Sequence, residues 1–107
     1  MKLIQCIIRP EKLNDLVARI EGMASGLTVS DVRGHGHQKG QTAVYRGLEY
    51  HVSLLPKTTI EIVADESMVD DIIKVVTETA KTGQIGDGRI FILDVDQSYH
   101  IRTGSMD

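Results

Sequence analysis

Two glycine-punctuated segments carry the residues of this chain best suited to chemistry. Gly34-His35-Gly36-His37-Gln38-Lys39-Gly40 and Gly83-Gln84-Ile85-Gly86-Asp87-Gly88-Arg89 each set glycine backbone beside a cationic side chain. Glycine can turn its N–H groups toward an anion without a side-chain clash, and the neighbouring Lys or Arg adds charge. A phosphate or carboxylate is the ligand this composition suits. Neither segment is a Walker loop, since Lys39 precedes Gly40 and no Ser or Thr follows. Neither is a dinucleotide fingerprint, because the second reads G-x-x-G-x-G and leads into a strand instead of a helix. The tail adds His100, Arg102 and Thr103, so basic side chains come from three separate stretches. Taken alone, each stretch is first a turn with a solvated cation.

Other reactive residue types are sparse. His35 and His37 invite a metal assignment, but no carboxylate or thiol stands beside them in sequence, and solvated loop histidines are the plainer reading. As nucleophiles of a small phosphoryl-transfer enzyme they would need an orienting carboxylate that the spacing does not supply. Cys6 is the only cysteine, so there is no intrachain disulfide, and in its apolar run it reads as a small core residue. Tyr45-Arg46-Gly47-Leu48-Glu49-Tyr50 lies inside a polar segment from about Gly34 to Pro56. A connection that long between strands is functional or disordered. Two tyrosines flanking charges of both signs suit a contact surface, and a β-hairpin that packs its own tyrosines is the alternative.

The elements that must hold these groups follow from periodicity. At 107 residues the chain is one domain, 1–107, with a core of Ile, Val and Leu, since it has no Trp and one Phe. Lys2 to Arg9 is a short buried strand. Pro10 suits the first turn of a helix, along which Leu13, Leu16, Val17 and Ile20 recur at helical spacing until Gly22 and Gly26. Leu27 to Arg33 alternates as a second strand and Thr58 to Ala64 is a β-branched third. Asp65 is a candidate N-cap for a helix carrying Val69, Ile72, Ile73 and Val76, ended by Thr82-Gly83. Arg89 to Val95 is the fourth strand, and 97–107 is a short polar tail ending at Asp107, expected to supply no further regulatory segment. Strand–helix–strand twice is the α+β, ferredoxin-like βαββαβ plan: an antiparallel sheet with two helices on one face. A net charge of −3 argues against direct nucleic-acid binding. Met1-Lys2 leads into an apolar run too short for a membrane span and without a signal-type cleavage site, so a cytoplasmic location is expected.

Together these segments resemble the PII signal-transduction family over essentially the whole chain. Tyr45-Arg46-Gly47-Leu48-Glu49-Tyr50 is a near match to the family's modified-loop motif. Thr82-Gly83-Gln84-Ile85-Gly86-Asp87-Gly88-Arg89-Ile90-Phe91 fits its second signature, and Leu55-Pro56-Lys57, Ile60-Glu61-Ile62-Val63 and Ile101-Arg102-Thr103-Gly104 also match. The resemblance implies a homotrimer that is not an enzyme. It would bind ATP or ADP competitively between subunits, admit 2-oxoglutarate with ATP and Mg²⁺, and report nitrogen and energy status through a long loop, about 36–54. Carried over, Thr28 and Val63 would flank the adenine. Gly36, His37, Gly86, Asp87, Gly88, Arg89, His100 and Arg102 would hold the phosphates, with 82–89 as the phosphate loop. Gln38 would hold Mg²⁺ through ATP, and Gln38, Lys39, Lys57 and Gly86 would hold 2-oxoglutarate. Tyr50 would be a modification position, and Arg46 a contact to a partner such as an ammonium transporter or nitrogen-metabolism enzyme. Any membrane association would run through that transporter.

His37 and His100 stand where the family usually has arginine, and Arg89 where it usually has lysine. Arginine is always charged and forks onto phosphate, whereas histidine is mostly neutral at pH 7. Weaker or more pH-dependent triphosphate binding is therefore expected. Leu48 replaces the serine that some relatives phosphorylate, which removes that switch. A trimeric structural module without ligands is a further alternative on the same fold.

Overall fold

Residues at the start of the chain alternate about a covered layer: Ile4, Cys6 and Ile8 are buried, while Leu3, Gln5 and Ile7 between them are partly open. That period of two defines β1 (Lys2–Ile8), a strand with one covered face. The computed structural model describes residues 1–24, 26–36, 41–45, 48–52 and 54–107, with backbone alone in 41–45 and 48–52. After β1, Pro10 opens a single 3-10 turn that runs into α1 (Leu13–Ile20). Its fixed φ and missing N–H fit a first-turn position, as expected from sequence. β2 (Leu27–Gly34), β3 (Gln41–Tyr45), β4 (Leu48–Val52) and β5 (Leu55–Ala64) follow. The Asp65 carboxylate then accepts from the Ser67 N–H at 3.1 Å, capping the turn before α2 (Val69–Ala80). β6 (Gly88–Asp94) completes the sheet.

The main sheet has the order β2-β5-β1-β6, with every neighbouring pair antiparallel. β1 and β2 therefore run parallel with β5 inserted between them, and β5 and β6 run parallel with β1 between them. This is the split βαβ arrangement of an α+β ferredoxin-like fold. Leu16 and Ile20 of α1 and Ile72, Val76 and Ala80 of α2 close over Ile4, Cys6, Ile8, Ile60, Ile62 and Ala64 in one core. Each fully buried aliphatic side chain contributes about 1.5–3 kcal/mol over its exposed state.

Among the described residues no helix covers the opposite sheet face. Register places Leu3 beside Val63 and Leu93, Gln5 beside Glu61 and Phe91, and Ile7 beside Thr59 and Arg89. Val63, Phe91 and Leu93 are exposed there, as is Val32 on β2. Leu3, Val63, Leu93 and Phe91 adjoin as an apolar patch, which suits a contact face, while Val32 stands apart beside Lys57.

Three local expectations are refined. The third strand of the main sheet begins at Leu55, not Thr58, despite Pro56. β1 pairs with β5 only from Thr58 onward, so Pro56 faces a neighbour on the β2 side alone, and a strand tolerates a missing N–H at such an edge. Within the long polar segment, β3 and β4 form a two-stranded antiparallel ladder from Gln41↔Val52 to Tyr45↔Leu48, the hairpin of the alternative reading. The tail also has order of its own: Tyr99 bridges Met106, and the Asp107 N–H donates to the Ser98 carbonyl at 2.9 Å.

Candidate functional site

The turn between α2 and β6 is built around one carboxylate. Asp87 accepts from the Thr82 N–H at 2.8 Å and the Gly83 N–H at 2.9 Å, and it pairs with the Thr82 hydroxyl. From the end of β1, the Arg9 Nε donates to the same carboxylate at 3.1 Å, and the Arg9 Nη2 donates to the Ile85 carbonyl at 2.9 Å. The Thr82 hydroxyl, then the two N–H groups and Arg9, hold the Asp87 carboxyl well below the usual carboxylate range against a smaller opposing push from burial. Gly83, Gly86 and Gly88 all have positive φ, at 87°, 102° and 108°, which lets the chain fold back within so few residues. Gly88 is the tightest of them, since a Cβ there would lie 1.7 Å from the Ile7 carbonyl oxygen.

Lys57, near the start of β5, reaches this turn and donates to the Gly86 carbonyl at 2.7 Å. Partial burial, then repulsion from Arg9, draws its ammonium below the usual lysine value. Around that bond lies an open pocket of about 440 Å³, lined by Gly34, His35, Gly36, Lys57, Gly86, Gly88 and Arg89 over an apolar floor of Ile7, Leu55 and Phe91. Two glycine segments far apart in sequence thus meet on one sheet face, with two cationic side chains at the rim. Small backbone groups beside cations suit an anionic ligand of metabolite size. Among the described residues no carboxylate bonds to His35, and no three His, Cys, Asp or Glu side chains are grouped to hold a metal ion.

The family profile described as Nitrogen regulatory protein P-II matches residues 1–105. The chain belongs to the P-II family. It is 51% identical over 108 residues to the nitrogen regulatory protein P-II of Synechocystis sp., covering 100% of this chain and 96% of that one. The protein of the same name from Pasteurella multocida is 50% identical over 105 residues, covering 97% and 94%, and that of Rhizobium etli 46% over 108 residues, covering 100% and 96%. These relatives are named as regulators, and membership gives this P-II chain a nitrogen-regulatory signalling role. Among the described residues no helix is long and apolar enough to cross a membrane.

The P-II residues expected at the site fall into four groups. Gly36, Lys57, Gly86, Gly88 and Arg89 line the one pocket, while Asp87 turns its carboxylate into the loop it braces. Thr28 and Val63 line a separate groove of about 400 Å³ with Leu3, Gly26, Leu27 and Glu61. Val63 is six residues from Lys57 along β5, roughly 20 Å at strand rise. His100 and Arg102 sit on the exposed tail and line neither cavity; the His100 imidazole pairs with Asp107, and the His100 backbone N–H donates to the Ser105 carbonyl at 2.9 Å. His37, Gln38, Lys39, Arg46 and the Tyr50 side chain lie outside the described residues. Arg9 was missed from sequence. It bonds across separations of 76 and 78 residues, and no local pattern signals such a link.

Proposed function

We propose that this P-II chain is a homotrimeric, non-enzymatic sensor of ATP or ADP and 2-oxoglutarate that controls nitrogen-metabolism partners through its loop about 36–54. The observation that carries this reading is the meeting of Gly34-His35-Gly36, Lys57 and the 86–89 turn on one pocket. The glycine N–H groups and Arg89 suit a nucleotide's phosphates, and Lys57 suits the distal carboxylate of a dicarboxylate. Gln38 and the phosphates would hold Mg²⁺, which draws the 2-oxo acid end to the same place.

The separation of the two cavities bears on assembly. Thr28 and Val63 line a groove apart from the pocket of Gly36 and the 86–89 turn, so a nucleotide that uses both sets of residues would lie between two copies. The exposed face of Val63, Phe91 and Leu93 supports that association. Loop 36–54 leaves from the pocket at Gly36 and returns near Lys57, so a ligand there can bias it by a few kcal/mol of differential affinity. Arg46 and Tyr50 are the loop positions offered to an ammonium transporter or a metabolic enzyme.

Calorimetric titration with ATP, ADP and 2-oxoglutarate, alone and combined with Mg²⁺, tests the reading. Tight nucleotide binding without turnover is expected, with 2-oxoglutarate binding strongly only when ATP and Mg²⁺ are present. Equal binding of 2-oxoglutarate without them refutes the shared site, and steady ATP turnover or phosphohistidine favours the enzyme.

A further inference from the structure

The loop 82–88 is fastened at two consecutive carbonyls by cations from two different strands. Arg9, at the end of β1, takes the Ile85 carbonyl, and Lys57, on β5, takes the Gly86 carbonyl. In a trans peptide unit the N–H points opposite to the C=O. Holding the Ile85 carbonyl toward Arg9 therefore aims the Gly86 N–H away from it, and holding the Gly86 carbonyl toward Lys57 aims the Asp87 N–H away from Lys57. The Asp87 N–H closes the turn over 84–87 on the Gln84 carbonyl, whereas the Gly86 N–H has no partner among the described residues. An open N–H of this kind, in a glycine turn beside the Arg89 cation, suits an anion.

Asp87 would work against such a site if its charge were left alone. Its carboxylate is one residue from Gly86 and Gly88, where it would repel a phosphate. Thr82, Gly83 and the Arg9 Nε occupy it instead. The Arg9 and Asp87 side chains are 16% and 25% exposed, so this pair is screened less than one on the open surface. One guanidinium thus sets the direction of a peptide plane and neutralises the only acid in the turn.

We infer that Arg9 is a positioning residue for the anion-binding turn, acting through Asp87 and the Ile85 carbonyl without itself touching the ligand. This rests on the nucleotide-binding reading above. Arg9→Gln is expected to weaken ATP binding about tenfold, and Arg9→Lys, which keeps the charge but not the two-pronged geometry, by less. The deciding variant is Arg9→Gln combined with Asp87→Asn. With the unpaired carboxylate gone, it should bind ATP more tightly than Arg9→Gln alone. If the two losses multiply instead, Arg9 contacts the ligand or acts independently, and the inference fails.

A readout without nucleotide separates the inference from the reading it rests on. The Thr82 and Gly83 amide resonances, whose protons are bonded to Asp87, should shift in ligand-free Arg9→Gln and largely return in Arg9→Lys, with the thermal melt reporting that each variant is folded. Unmoved amides overturn the strap whatever ATP does. Shifted amides in a protein that binds no ATP keep the strap and refute the nucleotide reading.

Discussion

Gly88→Ala isolates the closest approach in the site. A Cβ at this position would stand 1.7 Å from the Ile7 carbonyl oxygen and 2.8 Å from its carbon, both backbone atoms of β1. A carbon-to-oxygen contact settles near 3.3 Å, so the strands must part by about 1.6 Å at the end of the β1–β6 ladder. Overpacking of that kind costs about 1–3 kcal/mol, and a non-glycine residue at φ 108° costs about 1–2 kcal/mol more. The sum, about 2–5 kcal/mol, is a large share of the stability of a domain this size. At roughly 4–8 °C per kcal/mol it lowers the melting temperature by at least about 8 °C. Gly83→Ala supplies the control, since Gly83 also has positive φ but nothing lies within 4 Å of its added Cβ. It should lose only the conformational part. Thermal and urea unfolding at one fixed protein concentration would compare the two, because association of copies makes apparent stability concentration-dependent. If Gly88→Ala is no less stable than Gly83→Ala, the close approach of β1 does not govern this turn.

Other outcomes follow from single groups. Asp87 has a depressed folded pKa, so its contribution is present above the unfolded carboxyl value near 4 and is lost as pH falls toward the folded value. Asp87→Asn should therefore lose about 1.5–3 kcal/mol at pH 7, and the gap to the unmodified protein should narrow at pH 3, read from urea midpoints; a gap independent of pH refutes the charge-based account. Burial pushes the Cys6 thiol up to about 11, so at pH 8 the folded protein should react with a thiol reagent only as fast as it opens. Stoichiometric labelling within minutes of mixing would contradict the buried placement. Leu93→Lys puts a charge on the open sheet face and should shift sedimentation from the proposed trimer to monomer while the far-UV circular dichroism stays the same. An unmodified protein that sediments as a monomer removes that face as the contact between copies.

Both helices were legible because their apolar stripes are deep in the structure. Leu16, Ile20, Ile72 and Val76, picked out by spacing, are all buried. β1 was legible for the same reason, since its alternate residues Ile4, Cys6 and Ile8 are covered. The edge strands were harder. Val29 and Val32 of β2 fall on opposite sheet faces and are each more than a third exposed, so burial gives that strand's alternation little contrast. β3 and β4 correspond to the hairpin alternative for this segment, which sequence did not separate from a loop because no apolar run marks the two strands. Gln41-Thr42-Ala43-Val44-Tyr45 then reads as polar loop, although three of its five residues favour strands.

The site divides along the same physical line. Gly36, Gly86 and Gly88 could be named from sequence because glycine and a nearby cation are a local signature, whereas Lys57 entered only through the family resemblance. Their convergence depends on β5 lying between β1 and β2, an order that no local pattern encodes. The roles of charged residues are the least local of all. Asp87 looks in sequence like a phosphate-facing acid and His100 like a substitute for a phosphate-binding arginine. In the folded chain Asp87 is bound by Thr82, Gly83 and Arg9, and His100 is bound by Asp107. A ligand that draws on His100 must therefore compete with a carboxylate already held there, which adds a second reason, beyond histidine's weak charge at neutral pH, to expect attenuated triphosphate binding. A carboxylate that competes for histidine also makes the attenuation separable: Asp107→Asn should strengthen ATP binding if His100 reaches the phosphates, and leave it unchanged if the tail takes no part.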